Sequence, residues 1–458
     1  MTDTNVDLVV LGGGTAGYAA AIRAAELGSK VVLIEKDKLG GTCLHRGCIP
    51  TKTLLHAAEV ADEAKDAAGV GLNVTYDGVN IDGLHKYKDG IVAKHFKGLT
   101  GIISSHGITV VEGEGKFVGP NTVVVGGDTY IGTNVILATG SYSRSLPGLD
   151  IEGRVITSEQ ALGLQWIPEK AIVLGGGVIG VEFASIWASF GAEVTIVEAL
   201  PSLAPAEDPW IGKQLERAFR KRKINFKTGV KFSGVTQDDA GVTVTLETGD
   251  ELKADLLLVA VGRGANTAGT GFDEAGVTMD RGFVITDERC RTNLPNVFAI
   301  GDIVPGLQLA HRGFQQGIFV AEDIAGLNPV VIPEKNIPRI TYCDPQVASV
   351  GLTEAAAKAD FGDGEVETFT YNLAGNGKSD ILRTAGGIKT VRVKGGPIVG
   401  VHMVGGRIGE LLGEAQLIVG WEAQPEDVAP MLHAHPTQYE ALGESMLAMA
   451  GKPLHGHS

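Results

Sequence analysis

Two cysteines, Cys43 and Cys48, stand five positions apart in Gly40-Gly41-Thr42-Cys43-Leu44-His45-Arg46-Gly47-Cys48-Ile49-Pro50-Thr51-Lys52. The chain has only four cysteines in 458 residues. That is too few for a disulfide scaffold, and a close pair in such a chain suits redox catalysis or metal binding. A metal would recruit His45 beside the two thiols, but no fourth ligand or second cysteine pair accompanies it. The redox reading has more support. Leu54-Leu55-His56-Ala57-Ala58-Glu59 is helix-forming, so Cys48 falls near a helix N-terminus, where the dipole lowers a thiol pKa and stabilises the thiolate. Lys52, four positions on, adds positive charge. Cys290 and Cys343 stand alone and read as structural.

A second constellation lies near the end of the chain, His433-Ala434-His435-Pro436-Thr437-Gln438-Tyr439-Glu440. A histidine before proline sits at a turn or a helix entry. Glu440, in the first turn of a following helix, could return to hold the imidazole. A carboxylate–histidine pair orients a base and stabilises its protonated form. Alone this would be an ordinary surface pair; a redox cysteine pair in the same chain turns it toward catalysis.

These groups need positioning, and two segments share one plan for it. Residues 6–11 form an apolar strand, followed by Gly12-Gly13-Gly14-Thr15-Ala16-Gly17, an alanine-rich helix, and a second strand that ends in Glu35. Residues 171–174 form another strand, followed by Gly175-Gly176-Gly177-Val178-Ile179-Gly180, a helix, and a strand that ends in Glu198. In both, the acid lies 23 positions after the first glycine. This is the βαβ dinucleotide fingerprint with its ribose-binding acid. The first glycine makes the tight turn, the second lets backbone approach a pyrophosphate, and the third lets helix and strand pack closely. Glu198 is followed by Ala199, Leu200 and Pro201, with no cation for a 2′-phosphate, which favours NAD over NADP. Further apolar strands stop at Thr139-Gly140, at Gly262 and at Gly301-Asp302, where ligands of open parallel sheets bind. Beyond about residue 333 the texture changes. Residues 389–393 alternate with period two, Gly395-Gly396-Pro397 turns the chain, and residues 398–404 return, an antiparallel pattern. Helices are expected near 409–420 and 440–450.

Composition bounds the whole. Glycine contributes 65 residues, about twice average usage, without a collagen period. The length suggests roughly three domains. Lys plus Arg is 39 and Asp plus Glu 54, a net charge of −15, which with no long basic run makes a poor nucleic-acid binder. The densest basic stretch, residues 217–223, reads as one solvated helix end. No apolar run approaches the ~18 residues of a membrane span. The first strand begins almost at once, leaving no room for a signal peptide, so the expected compartment is the cytoplasm, in a bacterium.

Together these motifs resemble the flavin-dependent pyridine nucleotide–disulfide oxidoreductases, over nearly the full length and in the family's order. The resemblance implies an α/β fold with two Rossmann-like dinucleotide-binding domains and a C-terminal α+β interface domain. Residues 1–147 and 269–334 would bind FAD, 148–268 NAD, and 335–458 would form the interface of a homodimer. Gly12, Gly14, Gly17, Glu35, Lys52, Thr139, Gly140, Asp302 and Ala310 would serve FAD; Gly175, Gly177, Gly180, Glu198 and Gly262 would serve NAD. Cys43 matches the thiol that meets substrate and Cys48 the thiol that contacts the flavin. Lys52 and Glu182 match an ion pair beside the flavin N5. His435 matches the catalytic base, given across the dimer interface, and Glu440 its partner. The implied activity is oxidation of dihydrolipoamide, carried on a lipoyl domain of a partner acyltransferase in a 2-oxoacid dehydrogenase complex, with reduction of NAD. The alternative is NAD(P)H-dependent reduction of another small disulfide of glutathione or mycothione type. A non-catalytic docking flavoprotein would be expected to have lost redox groups, and all are present. Three positions depart from the family pattern: His45-Arg46, Gly264-Ala265-Asn266 and Gln316.

Overall fold

The computed structural model describes residues 3–455, and the chain divides into two compact units. The first comprises Met1–Thr53, Asn80–Arg144 and Gly262–Ile332. Its centre is the strand Asp3–Leu11, whose Val-Val-Leu end is buried. Continuous apolar runs of this kind suit a parallel strand covered on both faces. It pairs in parallel with Val31–Glu35 and Asp128–Leu137, and the sheet continues in parallel to Thr109–Glu112 on one side. On the other side Thr122–Val125 and Gly115–Gly119 add antiparallel strands, and Val297–Ala299 pairs in parallel with the end of Asp128–Leu137. One sheet face packs on the helices Thr15–Glu26 and Ala310–Ile324, burying Ala16, Ala20, Phe319 and Val320. These helices meet through small residues: a Cβ on Gly317 would lie 2.4 Å from the Ala16 carbonyl oxygen. The alanine-rich sequence of the first helix is thus a packing surface. The other face carries Phe117, Val135 and Phe272.

The second unit comprises Leu54–Val79, Ser145–Val261 and Pro333–Ser458. It holds a five-stranded parallel sheet in the order Asn225–Thr228, Glu193–Glu198, Lys170–Leu174, Leu256–Val259, Val155–Thr157. A three-stranded antiparallel sheet spans residues 232–254. The expected C-terminal hairpin forms from Gly387–Val393 and Ile398–Gly405, inside a five-stranded antiparallel sheet. The expected helices appear as a 3-10 turn Ile408–Leu411 running into Leu412–Gly420, and as Glu440–Met449. Among the described residues no helix is long and apolar enough to cross a membrane.

The basic stretch at 217–223 is not wholly a solvated helix end. The helix Pro209–Lys221 stops there, and Arg222 turns inward with only 18% of its side chain exposed. Its guanidinium donates to Asp62 Oδ2 at 2.9 Å, Ser185 Oγ at 2.6 Å, Ser189 Oγ at 2.7 Å and the Asp344 carbonyl at 2.8 Å. A rigid fork of five donors suits such a junction. Its acceptors come from three distant stretches of chain, which a local pattern of charges cannot reveal.

Candidate active site

Cys43 lies in the short helix Gly41–Arg46, and Cys48 opens the helix Cys48–Asp66. No disulfide links the four cysteines. Cys43 is pushed far above the ordinary thiol pKa by its hydrogen bond with Cys48, then by burial and by the Cys48 charge, against a lowering pull from Lys52. Tyr18, which the sequence reading passed over, is pushed up to about 12 by burial and by the charges of Cys43 and Cys48. It follows the third fingerprint glycine, and that placement was the available signal. The His45-Arg46 departure is absorbed locally. His45 Nε2 lies 2.9 Å from the Leu39 carbonyl and its ring meets Phe96 edge-on, while Arg46 pairs with Asp37 at 2.6 Å.

The two fingerprints build matching cradles. A Cβ on Gly12 would lie 2.2 Å from the Ala138 carbonyl oxygen, and one on Gly175 2.3 Å from that of Ala260. A Cβ on Gly17 would lie 1.8 Å from the Gly12 oxygen, and one on Gly180 1.9 Å from the Gly175 oxygen. Only glycine permits these approaches. Gly14 and Gly177 differ in kind: a Cβ on either would meet nothing within 4 Å. Each is the N-cap of its helix, without a side-chain cap and without an acid in the first turn. Each glycine thus leaves room beside an uncapped helix N-terminus, the place where a pyrophosphate would bind. Glu35 takes N–H groups from Gly13 at 2.7 Å and Asp37 at 2.9 Å; Glu198 takes them from Gly176 at 2.6 Å and Leu200 at 2.7 Å. Each oxygen keeps a lone pair for a ribose hydroxyl. The residues present fit two dinucleotides.

Elsewhere in the first unit, Thr139 Oγ1 donates to the Asn266 carbonyl at 2.7 Å, and Asn266 N–H donates to the Gly140 carbonyl at 2.8 Å. Asn266, in one of the departing motifs, thus ties down a predicted cofactor-facing turn. Asp302 Oδ2 accepts from Ser141 Oγ at 2.5 Å, and Ser141 Oγ accepts from Arg263 Nε at 2.7 Å. Ser141 and Arg263 were not foreseen as orienters of Asp302. Gln316 Oε1 accepts the Gly301 N–H at 2.8 Å, so its amide oxygen serves as the acceptor a glutamate would offer. Ala310 opens its helix with no side-chain cap. Gly262, expected at the NAD site, begins the last segment of the first unit, whereas Gly175, Gly177, Gly180 and Glu198 belong to the second.

In the second unit Glu182 is 2% exposed and accepts the Tyr342 N–H at 2.9 Å. His435 Nδ1 lies 2.9 Å from Glu440 Oε1, and 80% of its side chain is exposed. With Nδ1–H directed to the carboxylate, Nε2 is the lone-pair nitrogen, as a base requires. Burial raises the Glu440 pKa, but the Thr437 N–H and His435 outweigh it, leaving the carboxyl below its ordinary value. Cys343 is fully buried, its thiol raised by that burial. Among the described residues no group of three or more His, Cys, Asp or Glu is placed to hold a metal ion.

Residues 6–317 match the model of the family "pyridine nucleotide-disulphide oxidoreductase", and residues 337–446 match that family's dimerisation domain. A dihydrolipoyl dehydrogenase of Bacillus subtilis is 38% identical, with 99% of each chain covered. The mitochondrial dihydrolipoyl dehydrogenase 1 of Arabidopsis thaliana is 39% identical over 98% of this chain and 91% of its own. The crystal structure of LpdA from Mycobacterium tuberculosis superimposes with a TM-score of 0.89 at 26% identity, covering 98% of this chain and 100% of the other.

Proposed function

The chain belongs to the pyridine nucleotide-disulphide oxidoreductases, and from that premise we propose that it oxidises dihydrolipoamide to lipoamide with reduction of NAD. The observation that carries the reading is the Cys43/Cys48 dithiol, placed after the first fingerprint in one compact unit. The relatives' names supply the substrate class.

In this mechanism His435 Nε2 takes a proton from one substrate thiol, held in orientation by Glu440. With the pair in its oxidised form, a Cys43–Cys48 disulfide, the substrate thiolate attacks Cys43 Sγ, the Cys43–Cys48 bond breaks, and Cys48 leaves as a thiolate. The second substrate thiol gives its proton to Cys43 as its sulfur displaces it, closing the lipoamide disulfide and leaving a Cys43 thiol, a Cys48 thiolate and a protonated His435. Lys52, whose charge acts on Cys43, stabilises anionic sulfur. A bound FAD supplies two-electron transfer between this dithiol and the nicotinamide of NAD. Gly12, Gly14, Gly17, Glu35, Thr139, Gly140, Asp302 and Ala310 would hold the flavin. Gly175, Gly177, Gly180, Glu198 and Gly262 would hold NAD, with Glu182 and Lys52 beside the flavin.

The enzyme is a homodimer through the 337–446 domain, and our reading has His435 serve the partner's disulfide. The domain division is residues 1–147 with 269–334, 148–268, and 335–458. The substrate arrives on a lipoyl domain of an acyltransferase, in the cytoplasm, where a cysteine-poor chain keeps buried thiols unlinked. The test compares NAD reduction by dihydrolipoamide with NADPH oxidation by small disulfides, in wild type and His435→Ala. We expect the first activity to dominate and to fall about 10²–10⁴-fold in the variant. Dominance of the second would overturn the assignment in favour of a small-disulfide reductase.

A further inference from the structure

A second imidazole–carboxylate pair lies two residues before the proposed base, and the mechanism above does not use it. His433 Nε2 is 2.8 Å from Glu414 Oε1, on the helix Leu412–Gly420. Its side chain is only 11% exposed, against 80% for His435. The ring rests on the helix Glu440–Met449 at Gly443, where a Cβ would lie 2.6 Å from Nδ1. Its neighbour is the Tyr439 ring, 5.4 Å between centroids. The Tyr439 hydroxyl accepts the N–H of Ala434, the residue between the two histidines, at 2.9 Å. The Ala434 carbonyl accepts from Thr437 Oγ1 at 2.6 Å. Thr437 N–H donates to Glu440 Oε2 at 2.6 Å, the carboxylate whose other oxygen holds His435. The Thr437 carbonyl accepts from buried Asn376 Nδ2 at 2.9 Å. Glu414 favours protonated His433, burial opposes this, and the Met431 carbonyl and Glu440 add to the Glu414 effect.

We propose that His433, clamped by Glu414 and seated between Gly443 and Tyr439, is a positioning residue that fixes Ala434 and so aims the exposed imidazole of His435. The inference rests on the reading of His435 as the thiol base. An exposed ring on a loop would otherwise sample several rotamers, and a displacement near 1 Å costs about 10²-fold in rate. Glu414, Tyr439, Thr437 and Asn376 belong to the same chain as His435, so these bonds orient the ring from its own side.

The test uses the flavin-loaded dimer as wild type, His433→Phe, His433→Gln and Gly443→Ala. In His433→Phe and Gly443→Ala, kcat for dihydrolipoamide oxidation should fall about tenfold or more, with KM within about twofold. NADH oxidation by a quinone acceptor, which needs no thiol proton transfer, should fall far less. His433→Gln, which keeps a donor toward Glu414, should recover part of the loss. In protein labelled at histidine Cε1, the His435 resonance should move in His433→Phe and Gly443→Ala. Unchanged kcat in those two variants overturns the proposal, as does an equal loss of both activities. If wild type shows no dihydrolipoamide turnover, the functional reading fails separately. The resonance still decides the positioning role: unmoved, it overturns it.

Discussion

The two fingerprint segments repeat one another down to single bonds and then part company. Gly40 N–H donates to the Gly13 carbonyl and Ala204 N–H to the Gly176 carbonyl, each at 2.8 Å. Gly13 abuts Leu39 as Gly176 abuts Leu203. Past that point the first copy enters Gly41–Arg46 and Cys48, while the second enters Pro209–Lys221 behind an Asp208 cap. The first acid is half-buried and its Asp37 neighbour is tied by Arg46 to the cysteine helix; the second is buried, only 8% exposed. The cradle is thus a property of glycine spacing and one carboxylate. Redox chemistry comes from the segment that follows it.

That separation can be broken at matched positions. The largest effect belongs to Gly17→Ala and Gly180→Ala, whose added carbons would overlap a carbonyl oxygen. Gly17→Ala should purify short of flavin. Gly180→Ala should keep its flavin but bind NADH about 100-fold more weakly, an overpacking cost of about 3 kcal/mol. Flavin absorbance per chain and NADH titration read the two, and loss of both cofactors from either variant breaks the comparison. A comparable effect separates the two units by pH. His402 is wholly buried in the second, with Nε2 at the Leu352 carbonyl and, among the described residues, no partner at Nδ1. Burial pushes its pKa down to about 4. The unfolded chain, at about 6.5, takes up the proton first. Stability conferred by neutral His402 is therefore complete above about pH 6.5 and lost as pH falls toward 4, about 3 kcal/mol in all. Amide exchange should show the second unit loosening across that window, and His402→Phe should flatten the slope. The smallest effect is expected for Gly14→Ala and Gly177→Ala. Neither carbon meets protein, so thermal stability without cofactor should stay within about 0.5 kcal/mol. Binding of the matching dinucleotide should weaken about tenfold, because the methyl enters the pyrophosphate's approach.

What could be read from sequence was whatever repeats or lies close in sequence. The 23-residue spacing, Cys43 with Cys48, and His435 with Glu440 are local patterns, and local patterns carry their geometry with them. The Gly395-Gly396-Pro397 hairpin was legible for the same reason. Arg222 was misread because its acceptors at 62, 185, 189 and 344 are scattered. Ser141, Arg263 and His402 escaped notice because nothing in their neighbourhoods distinguishes a buried or half-buried polar group from a solvated one. The setting of His433 is hidden for the same reason, since Glu414 and Gly443 reach it only through folding.

The strand pairing of the first unit also bears on how the protein is made. The Val135–Leu137 end of its long strand receives Val297–Ala299 as a neighbour, about 160 residues later in the chain. At translation rates of about 5–20 residues per second, that edge waits roughly 10–30 s on the ribosome. Meanwhile it presents unpaired N–H and C=O groups on an apolar run, the kind of template that recruits other chains. Synthesis of the intervening segments, which belong largely to the second unit, sets the length of that exposure. Slowed translation between residues 145 and 297 should therefore increase aggregation of nascent chains even though every finished molecule would be the same.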